Sequence, residues 1–369
     1  MKRMPVSFLL MCFLVAETSF SLPRFASRTG AKCQSCHVNP SGGGMRQAFG
    51  LQYGREALPV PTWSEELGLD DFSTKLSEFV SIGADVRTLF YAQQIPDSAT
   101  GGSVTNNAFF QMQGDVYMNF RLARKVSIYI DKGIYSGFEI FGLLSILPAN
   151  GHIKIGKFVP NYGTKVDDHR TFIRDQTGFS PERGRSELTG GEVGISPGPV
   201  SITAGVYNAA DGFGGGGSSN KAFLGRAEGI FKLSEDLFLG LGGNVFSREG
   251  SSGSQTTLFG GIGSLSYGDL TISGEVDWIR NKVAGTTTTG LVSYVEAGYV
   301  VTTGVDLKFI YEFYDPNIDV KAGAVSRYSF GFEFFPVSGV EVRPVYRISH
   351  EDPVDLKNNE FNLLIHFYL

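Results

Sequence analysis

Hydrophobic and polar residues alternate from about Lys75 to the end of the chain, in segments of roughly ten residues that turn residues separate. In "DLTISGEVDWIR" the hydrophobic face holds Leu270, Ile272, Val276 and Trp278. The opposite face holds Thr271, Ser273, Glu275 and Asp277. Side chains of a β-strand point alternately to its two faces, so a period of two indicates a strand whose faces meet different surroundings. The pattern therefore predicts an all-β domain over residues 75–369.

Two other segments repeat the alternation and carry charges on the polar face. In "FQMQGDVYMNFRL" the hydrophobic face holds Phe110, Met112, Val116, Met118 and Phe120. In "SRYSFGFEF" it holds Tyr328, Phe330, Phe332 and Phe334. A soluble sandwich would turn its polar face to bulk water, whereas a membrane barrel turns its apolar face to lipid and its polar face to the lumen.

Connection lengths favour the barrel, because tight turns alternate with long loops as in outer-membrane barrels. The tight turns are "LARK", "LPANG", "SPGP", "SED", "YGD", "TTGV" and "PVSG". The long loops include residues 161–186, "AADGFGGGGSSNK", "NKVAGTTTT" and "HEDPVDLKNN". We predict a transmembrane antiparallel β-barrel of about sixteen strands, with about fourteen and about eighteen as the neighbouring counts.

The last residues read as a barrel-closing strand. "FNLLIHFYL" puts Phe361, Leu363, Ile365, Phe367 and Leu369 on one face and ends at the last residue. An even number of strands places both barrel ends on the tight-turn side. We expect that side to be periplasmic.

Composition agrees with a membrane wall and excludes other classes. The 369 residues include 48 Gly, 30 Phe and 15 Tyr with a formal net charge of -5, so no basic surface for nucleic acid is expected. After the first residues, no apolar run reaches the length of about 18 that a transmembrane helix needs.

Residues 1–21 are expected to form a cleavable secretory signal. Two basic residues precede the apolar run "VSFLLMCFLVA", and small residues suit a cleavage site after it. Cys12 is expected to leave with this signal. The mature chain then keeps only Cys33 and Cys36.

These two cysteines belong to "CQSCH", a haem-attachment signature. Cys33 and Cys36 would form thioethers with one haem c, and His37 would be the proximal iron ligand. A redox dithiol would have no use for the histidine. Half of a zinc site is the other alternative, but a tetrahedral site needs two more ligands and no further cysteine remains.

Residues 22–74 are expected to form a small, mostly helical or irregular haem segment and its linker. They include a glycine run, "SGGGM", and a stretch that could be helical, "MRQAFGLQYGREA". About fifty residues are too few for an ordinary independent core, so we expect the segment to lie in or against the lumen as a plug. Met45 is the candidate distal ligand, although it could equally be an apolar residue that starts a helix. His152, His366 and an open distal position are the alternatives.

The N-terminal motifs carry a resemblance to a known family. "PRFASRTGAKCQSCH", followed by Phe49 and Gly50, resembles the N-terminus of the fused monohaem c-type cytochrome-porins, outer-membrane proteins associated with extracellular iron oxidation. "GKFVPNYG" is similar to a strand-end motif of phosphate-selective-type porins. The resemblance implies an outer-membrane location in contact with lipid. It also implies periplasmic cytochromes or other electron carriers as partners, and extracellular iron as a candidate substrate.

Two functions remain open at this point. One is electron transfer between an extracellular donor or acceptor and periplasmic carriers, which could include ferrous-iron oxidation. The alternative is a substrate-selective porin whose haem segment is a gate, sensor or structural plug. A soluble periplasmic cytochrome would require the alternating segments to form a sandwich.

Two further groups of charged residues have more than one interpretation. The long loop carries Asp167, Asp168, His169, Arg174 and Asp175, which could hold a transient ferrous ion or form a web of Asp–Arg pairs. Arg343 and Arg347 share one face of a strand and could bind haem propionates or balance lumen acids.

Overall fold

The computed structural model describes residues 24–67, 72–96, 102–134, 137–179, 186–209, 220–250 and 253–369. The expected signal, residues 1–21, lies outside the described residues. Within them, sixteen antiparallel strands follow one another in chain order around a closed barrel, which the last strand completes by pairing with the first. The strands are β1 (Val80–Pro96), β2 (Ser103–Ala123), β3 (Val126–Gly133), β4 (Phe138–Leu147), β5 (Gly151–Phe158), β6 (Leu188–Ile195), β7 (Val200–Asn208), β8 (Lys221–Lys232), β9 (Leu237–Glu249), β10 (Gln255–Tyr267), β11 (Leu270–Val283), β12 (Thr286–Thr302), β13 (Val305–Asp315), β14 (Val325–Phe334), β15 (Val340–Glu351) and β16 (Glu360–Tyr368). The predicted barrel and its strand count are confirmed.

The alternation of faces that the sequence predicts is present in the strands. In β11, Ile272 and Trp278 point outwards and are exposed, whereas Glu275 and Asp277 point into the barrel and are buried. The terminal strand β16 follows the same rule, with Phe361 outside. The outer surface is therefore an apolar band, and the polar side chains line a lumen.

One predicted face is wrong, because β2 contains a β-bulge. The register between β1 and β2 shifts at Arg87, and Met112 is the extra residue. Met112 is buried with Leu89 and Leu364 inside the barrel instead of facing outwards. Residues on the long-loop side of the bulge exchange faces, so that Phe109 rather than Phe110 points outwards.

One predicted long loop is also wrong. The stretch "NKVAGTTTT" forms a two-residue turn between β11 and β12, in which Ala284 and Gly285 have φ angles of 50° and 86°. Two positive φ values suit the right-handed twist of a β-hairpin, and the threonines after the turn are good strand formers that continue β12.

The described residues before the barrel form four short helices. These are α1 (Arg24–Thr29), α2 (Cys33–Cys36), α3 (Ala48–Gln52), which continues as a π-helical turn over Tyr53–Ala57, and α4 (Pro61–Leu67). The helical expectation for "MRQAFGLQYGREA" is met from Ala48 onwards. A fifth helix, α5 (Phe172–Thr177), lies in the connection between β5 and β6. No helix among the described residues is long and apolar enough to cross a membrane.

A row of aromatic rings lines the inner face of β2 to β7. The row consists of Tyr117, Tyr129, Phe141, Phe158 and Tyr207, whose successive ring centroids lie 6.5, 5.1, 5.7 and 5.9 Å apart. Pairs of this kind are worth about 0.5–1.5 kcal/mol beyond the area they bury. The row reaches Tyr207 only because Gly190 is its neighbour: a Cβ at Gly190 would lie 2.6 Å from the Cα of Tyr207.

We therefore expect Gly190→Ala to destabilise the barrel by about 1–3 kcal/mol, since the overlap is with backbone that cannot rotate away. Gly261→Ala is the matched control, because a Cβ there would lie 3.8 Å from Val276 in an ordinary contact. It should stay within about 0.5 kcal/mol of the parent. Urea unfolding of the barrel from detergent, read by the mobility difference between folded and unfolded protein on a gel, measures both. Equal stability of the two variants would contradict this account of the inner wall.

Candidate functional site within the lumen

The N-terminal segment, defined as residues 24–67, crosses the lumen. On one side Ser27 Oγ donates a hydrogen bond of 2.9 Å to Ser264 on β10, and Arg28 pairs with Asp306 on β13 at 2.8 Å. On the other side the amide of Met45 donates to the hydroxyl of Tyr129 on β3 at 3.0 Å. Strand β3 lies across the barrel from β10 and β13, because the strands follow ring order.

Buried ion pairs attach the segment to the wall. Arg24 on α1 contacts Glu333 on β14, and Lys308 on β13 lies 2.8 Å from the same carboxylate. Three carboxylates here come within 4.8 Å of one another, as metal ligands would; they belong to Asp167, Glu333 and Glu341. Three cations interleave with them: Arg24, Lys308 and Arg343. The protein therefore neutralises this cluster with its own side chains.

The connection between β5 and β6 also folds inwards, and we call residues 159–187 the inward loop; residues 159–179 and 186–187 are described. Asp167 accepts a hydrogen bond of 2.8 Å from Arg343, and Asp168 pairs with Arg347. His169 Nε2 lies 2.9 Å from Arg87. These contacts support the interpretation of the loop as a web of Asp–Arg pairs rather than as an iron site.

The web keeps its acidic members charged. Burial alone would raise the pKa of Asp168, but the guanidiniums of Arg347 and Arg343 hold that pKa below its usual range. A depressed carboxyl pKa means that the contribution of this pair to stability is present above the unfolded pKa and is lost only as the pH falls well below it. The inward loop is therefore held in place throughout the neutral and mildly acidic range.

Between the segment, the inward loop and the wall lies a cavity of about 310 Å³. That volume falls within the range of about 300–1,000 Å³ of small-molecule and cofactor sites. Its lining includes Cys33, Cys36, His37 and Arg46 from the segment and His366 from β16. The three residues of the predicted haem-attachment motif thus face one shared space inside the barrel.

A short hairpin sets the direction of each side chain near the motif. His37 pairs with Arg46 in an antiparallel bridge, flanked by hydrogen bonds from Val38 N to Met45 O and from Gln47 N to Cys36 O. Directly opposed residues share a face, and the next pair along points the other way. His37 and Arg46 therefore face the cavity, whereas Val38 and Met45 face the aromatic row.

Glycines 42–44 make this hairpin possible, since all three have φ between 62° and 85°. A Cβ at Gly42 would lie 2.9 Å from the Sγ of Cys33, so a side chain at position 42 would crowd that thiol and glycine leaves it accessible. Haem attachment needs such access at both thiols. Gly42 therefore leaves space beside the thiol of Cys33, where the motif requires access for haem attachment.

The state of His37 also suits a metal ligand. Its Nδ1 lies 3.4 Å from the carbonyl oxygen of Gly44, which can only accept, so the proton belongs on Nδ1 and the lone pair on Nε2. Burial lowers the pKa of His37 to about 4, and nearby Arg46 adds to this effect. The imidazole is consequently neutral at physiological pH, as iron ligation requires.

Met45 is not brought to the cavity. Its side chain is 1% exposed and belongs to the buried cluster that contains Tyr117 and Tyr129. Because it lies on the opposite face of the hairpin from His37, this arrangement gives the distal-ligand prediction no support. It agrees better with the alternative that Met45 is an apolar packing residue, although α3 starts only at Ala48.

The other candidate histidines have different surroundings. His366 lines the cavity, but its two ring nitrogens lie 2.8 Å from Glu341 and 2.6 Å from Asp85, so carboxylates hold both. His152 is buried near the tight-turn end of β5 and is not among the residues that line the cavity. His169 lines the cavity from the inward loop and contacts Arg87.

Arg343 and Arg347 are also absent from the cavity lining, because the acids of the inward loop and β16 engage them. The arginine that the structure brings beside the motif is Arg46, which the sequence prediction missed. The signal that could have found it is the glycine run before it, which turns the chain back on His37.

Comparison with solved structures shows a porin-like barrel fold. Outer-membrane expressed OmpT of Vibrio cholerae aligns with 80% of this chain and 100% of its own, at 13% identity and a TM-score of 0.56. An anion-selective porin from Comamonas acidovorans aligns over 79% and 99%, at 11% identity and a TM-score of 0.55. Pseudomonas putida OprB aligns over 79% and 94%, at 8% identity and a TM-score of 0.58. No family model and no curated protein sequence matches the chain.

Proposed function

We propose that this chain is an outer-membrane barrel of the porin type whose N-terminal segment closes the lumen and acts as a gate. The observation that carries the proposal is the set of contacts that the segment makes with opposite walls. The apolar outer band supports insertion in lipid, and the porin-like fold supports solute passage as the function. Passage in this arrangement requires the segment to move.

Three polar attachment points of the gate lie in its first helix, α1. Arg24 contributes an ion pair with Glu333, Arg28 one with Asp306, and Ser27 a hydrogen bond with Ser264. A buried charge left without its partner costs about 3–5 kcal/mol, so the segment moves only where water or another ion takes over the charges that it leaves behind. A solute or partner that competes for the same charges would release it.

A disulfide staple tests whether the segment moves. Ser27→Cys combined with Ser264→Cys places two thiols where the hydroxyl oxygens lie 2.9 Å apart, close enough to bond once oxidised. In liposome swelling with a small charged solute, which can compete for the charges at the attachment points, we expect the parent chain to pass solute. The oxidised double variant should fall to the level of empty liposomes, and a reductant should restore the flux.

Each single variant, oxidised in the same way, is the matched control and should behave as the parent. Mass spectrometry verifies that the two introduced cysteines are bonded to each other. Equal flux through the oxidised double variant and the parent would show that the segment need not move. Absence of flux through the parent would contradict solute passage itself.

A second candidate function is electron transfer across the membrane, which the cavity lined by Cys33, Cys36 and His37 favours. These residues fit one covalent haem c, with thioethers at both cysteines and His37 Nε2 on the iron. A haem held by these residues would supply one-electron chemistry, so that an extracellular donor such as ferrous ion could be oxidised to ferric ion while a periplasmic carrier is reduced. A closed lumen suits this function because solute passage is not needed.

The chain's own residues would set the environment of such a site. Gly44 orients the imidazole of His37 through its carbonyl oxygen. The aromatic row and the inward loop exclude bulk water from one side of the cavity, and a low-dielectric surrounding of this kind helps to set a haem potential. The apolar core of a bilayer, about 30 Å thick, would otherwise separate donor from acceptor.

The electron-transfer candidate predicts loss of attached haem in cysteine variants. Cys33→Ala or Cys36→Ala should weaken peroxidase staining on a denaturing gel, and the double variant should abolish it. In vesicles with trapped ferricyanide and an external ferrous complex, the parent should reduce the ferricyanide at least about tenfold faster than the double variant. Staining that survives the double change would exclude covalent haem at this motif. Equal vesicle rates would exclude electron transfer by it.

A further inference from the structure

Arg46 is a half-buried cation beside the haem motif with unsatisfied hydrogen-bonding capacity. It lies opposite His37 in the hairpin and lines the same cavity. Its guanidinium stacks 4.4 Å from the ring centroid of Tyr368, which orients the plane without using the N–H groups. Its Nη1 is buried and has no hydrogen-bond partner among the described residues.

The other cations that line the cavity have partners in the protein. Arg24 and Lys308 pair with Glu333, and Arg87 pairs with Asp85 at 3.3 Å. The remaining three donate to backbone carbonyls at 2.5–3.2 Å; they are Lys32, Lys165 and Arg174. Arg24 Nη1 and Arg87 Nε are also buried without a hydrogen-bond partner, but both residues keep ion pairs. Within the described part of the chain, Arg46 is thus the lining arginine or lysine with neither an ion pair nor a hydrogen-bond partner.

Two acids that line the same cavity, Asp85 and Glu341, do not supply the missing hydrogen-bond partner of Arg46. Asp85 and Glu341 hold the two ring nitrogens of His366 at 2.6 and 2.8 Å, and no ion pair within 4 Å joins either carboxylate to Arg46 in the described residues. A buried N–H group without an acceptor is costly, because its desolvation is not repaid by a hydrogen bond, and Nη1 of Arg46 is such a group. The arrangement therefore calls for an anion that the protein itself does not provide.

We propose that Arg46 is a positioning residue that binds a propionate carboxylate of the haem held by Cys33, Cys36 and His37. This inference rests on the haem attachment proposed above and deepens it. A guanidinium donates two parallel N–H bonds to a carboxylate, which fixes an orientation as well as a charge. Arg46 therefore takes the role that the sequence suggested for Arg343 and Arg347, whose partners are acids of the protein.

The test compares Arg46→Gln with Arg46→Lys in the full chain extracted in detergent. Haem content, from peroxidase staining and the absorbance of the denatured haem, should equal that of the parent because the cysteines are intact. The propionate bands in the resonance Raman spectrum should shift in Arg46→Gln. Its midpoint potential should also fall as the pH rises from about 5 to about 8, because a propionate without its cation titrates in that range.

The parent should show a flat potential over the same range, since the cation keeps the propionate ionised. Arg46→Lys should restore the flat profile, because it keeps the charge, yet still shift the Raman bands, because it loses the planar fork. Arg55→Gln is the matched control: Arg55 lies in the same segment, donates to the carbonyl of Phe72 at 2.9 Å and does not line the cavity. It should leave both the spectrum and the profile unchanged.

The outcomes separate the two claims. A parent chain without covalent haem overturns the haem attachment and this inference with it. A parent with covalent haem, and Arg46 variants whose Raman bands and potentials match the parent, overturns the role of Arg46 alone. Should Arg46→Gln fail to fold, the Raman comparison of Arg46→Lys with the parent decides the question, since the lysine keeps the positive charge.

Discussion

Charge neutralisation inside the barrel is the constraint on which the rest of this structure depends. The inner wall carries ionisable side chains that are almost completely buried, such as Glu333 at 0% and Arg347 at 2% exposure. An open aqueous lumen would solvate such groups. Here they are paired instead, with Arg24 from the N-terminal segment and Asp168 from the inward loop. The wall, the segment and the loop are therefore one electrostatic unit.

This mutual dependence explains why a short segment can be ordered. Residues 24–67 have too little apolar surface for a core of their own, and the longest of their α-helices has seven residues. The wall supplies the missing surface through the aromatic row on one side, where Met45 is buried, and the missing charges on the other. The same interior that orders the segment brings Cys33, Cys36 and His37 to one cavity.

Local periodicity together with connection lengths was sufficient to predict the barrel, because strands alternate between lipid-type and lumen surroundings and tight turns alternate with long loops. The two errors in the wall have different local causes. The bulge at Met112 exchanges the faces of β2, and the turn at Ala284 and Gly285 replaces a long loop by a hairpin. Both segments have the residue types that the prediction expected, so the pattern of hydrophobic and polar residues alone could not reveal the bulge or the turn.

The interior was less predictable than the wall, because its contacts join residues far apart in sequence. The pairing of the acids of the inward loop with Arg343 and Arg347 was one of two interpretations, and only the three-dimensional arrangement favours it. The placement of Met45 and Arg46 on opposite faces depends on the register of a hairpin, which a shift of one residue would reverse. Motif spacing identified the haem candidates but not the arginine beside them.

The central claim, that the N-terminal segment lies across the lumen, is tested most directly by photocrosslinking from within it. A diazirine analogue of methionine at position 45 of the full chain, irradiated in lipid bilayers, should crosslink to the peptide that contains β3, because the amide of Met45 lies 3.0 Å from the hydroxyl of Tyr129. Mass spectrometry of the digested protein identifies the partner. Crosslinks to β3 or its neighbour β2 are the predicted result. Reaction with water alone, with no wall peptide attached, would contradict a segment enclosed by the barrel.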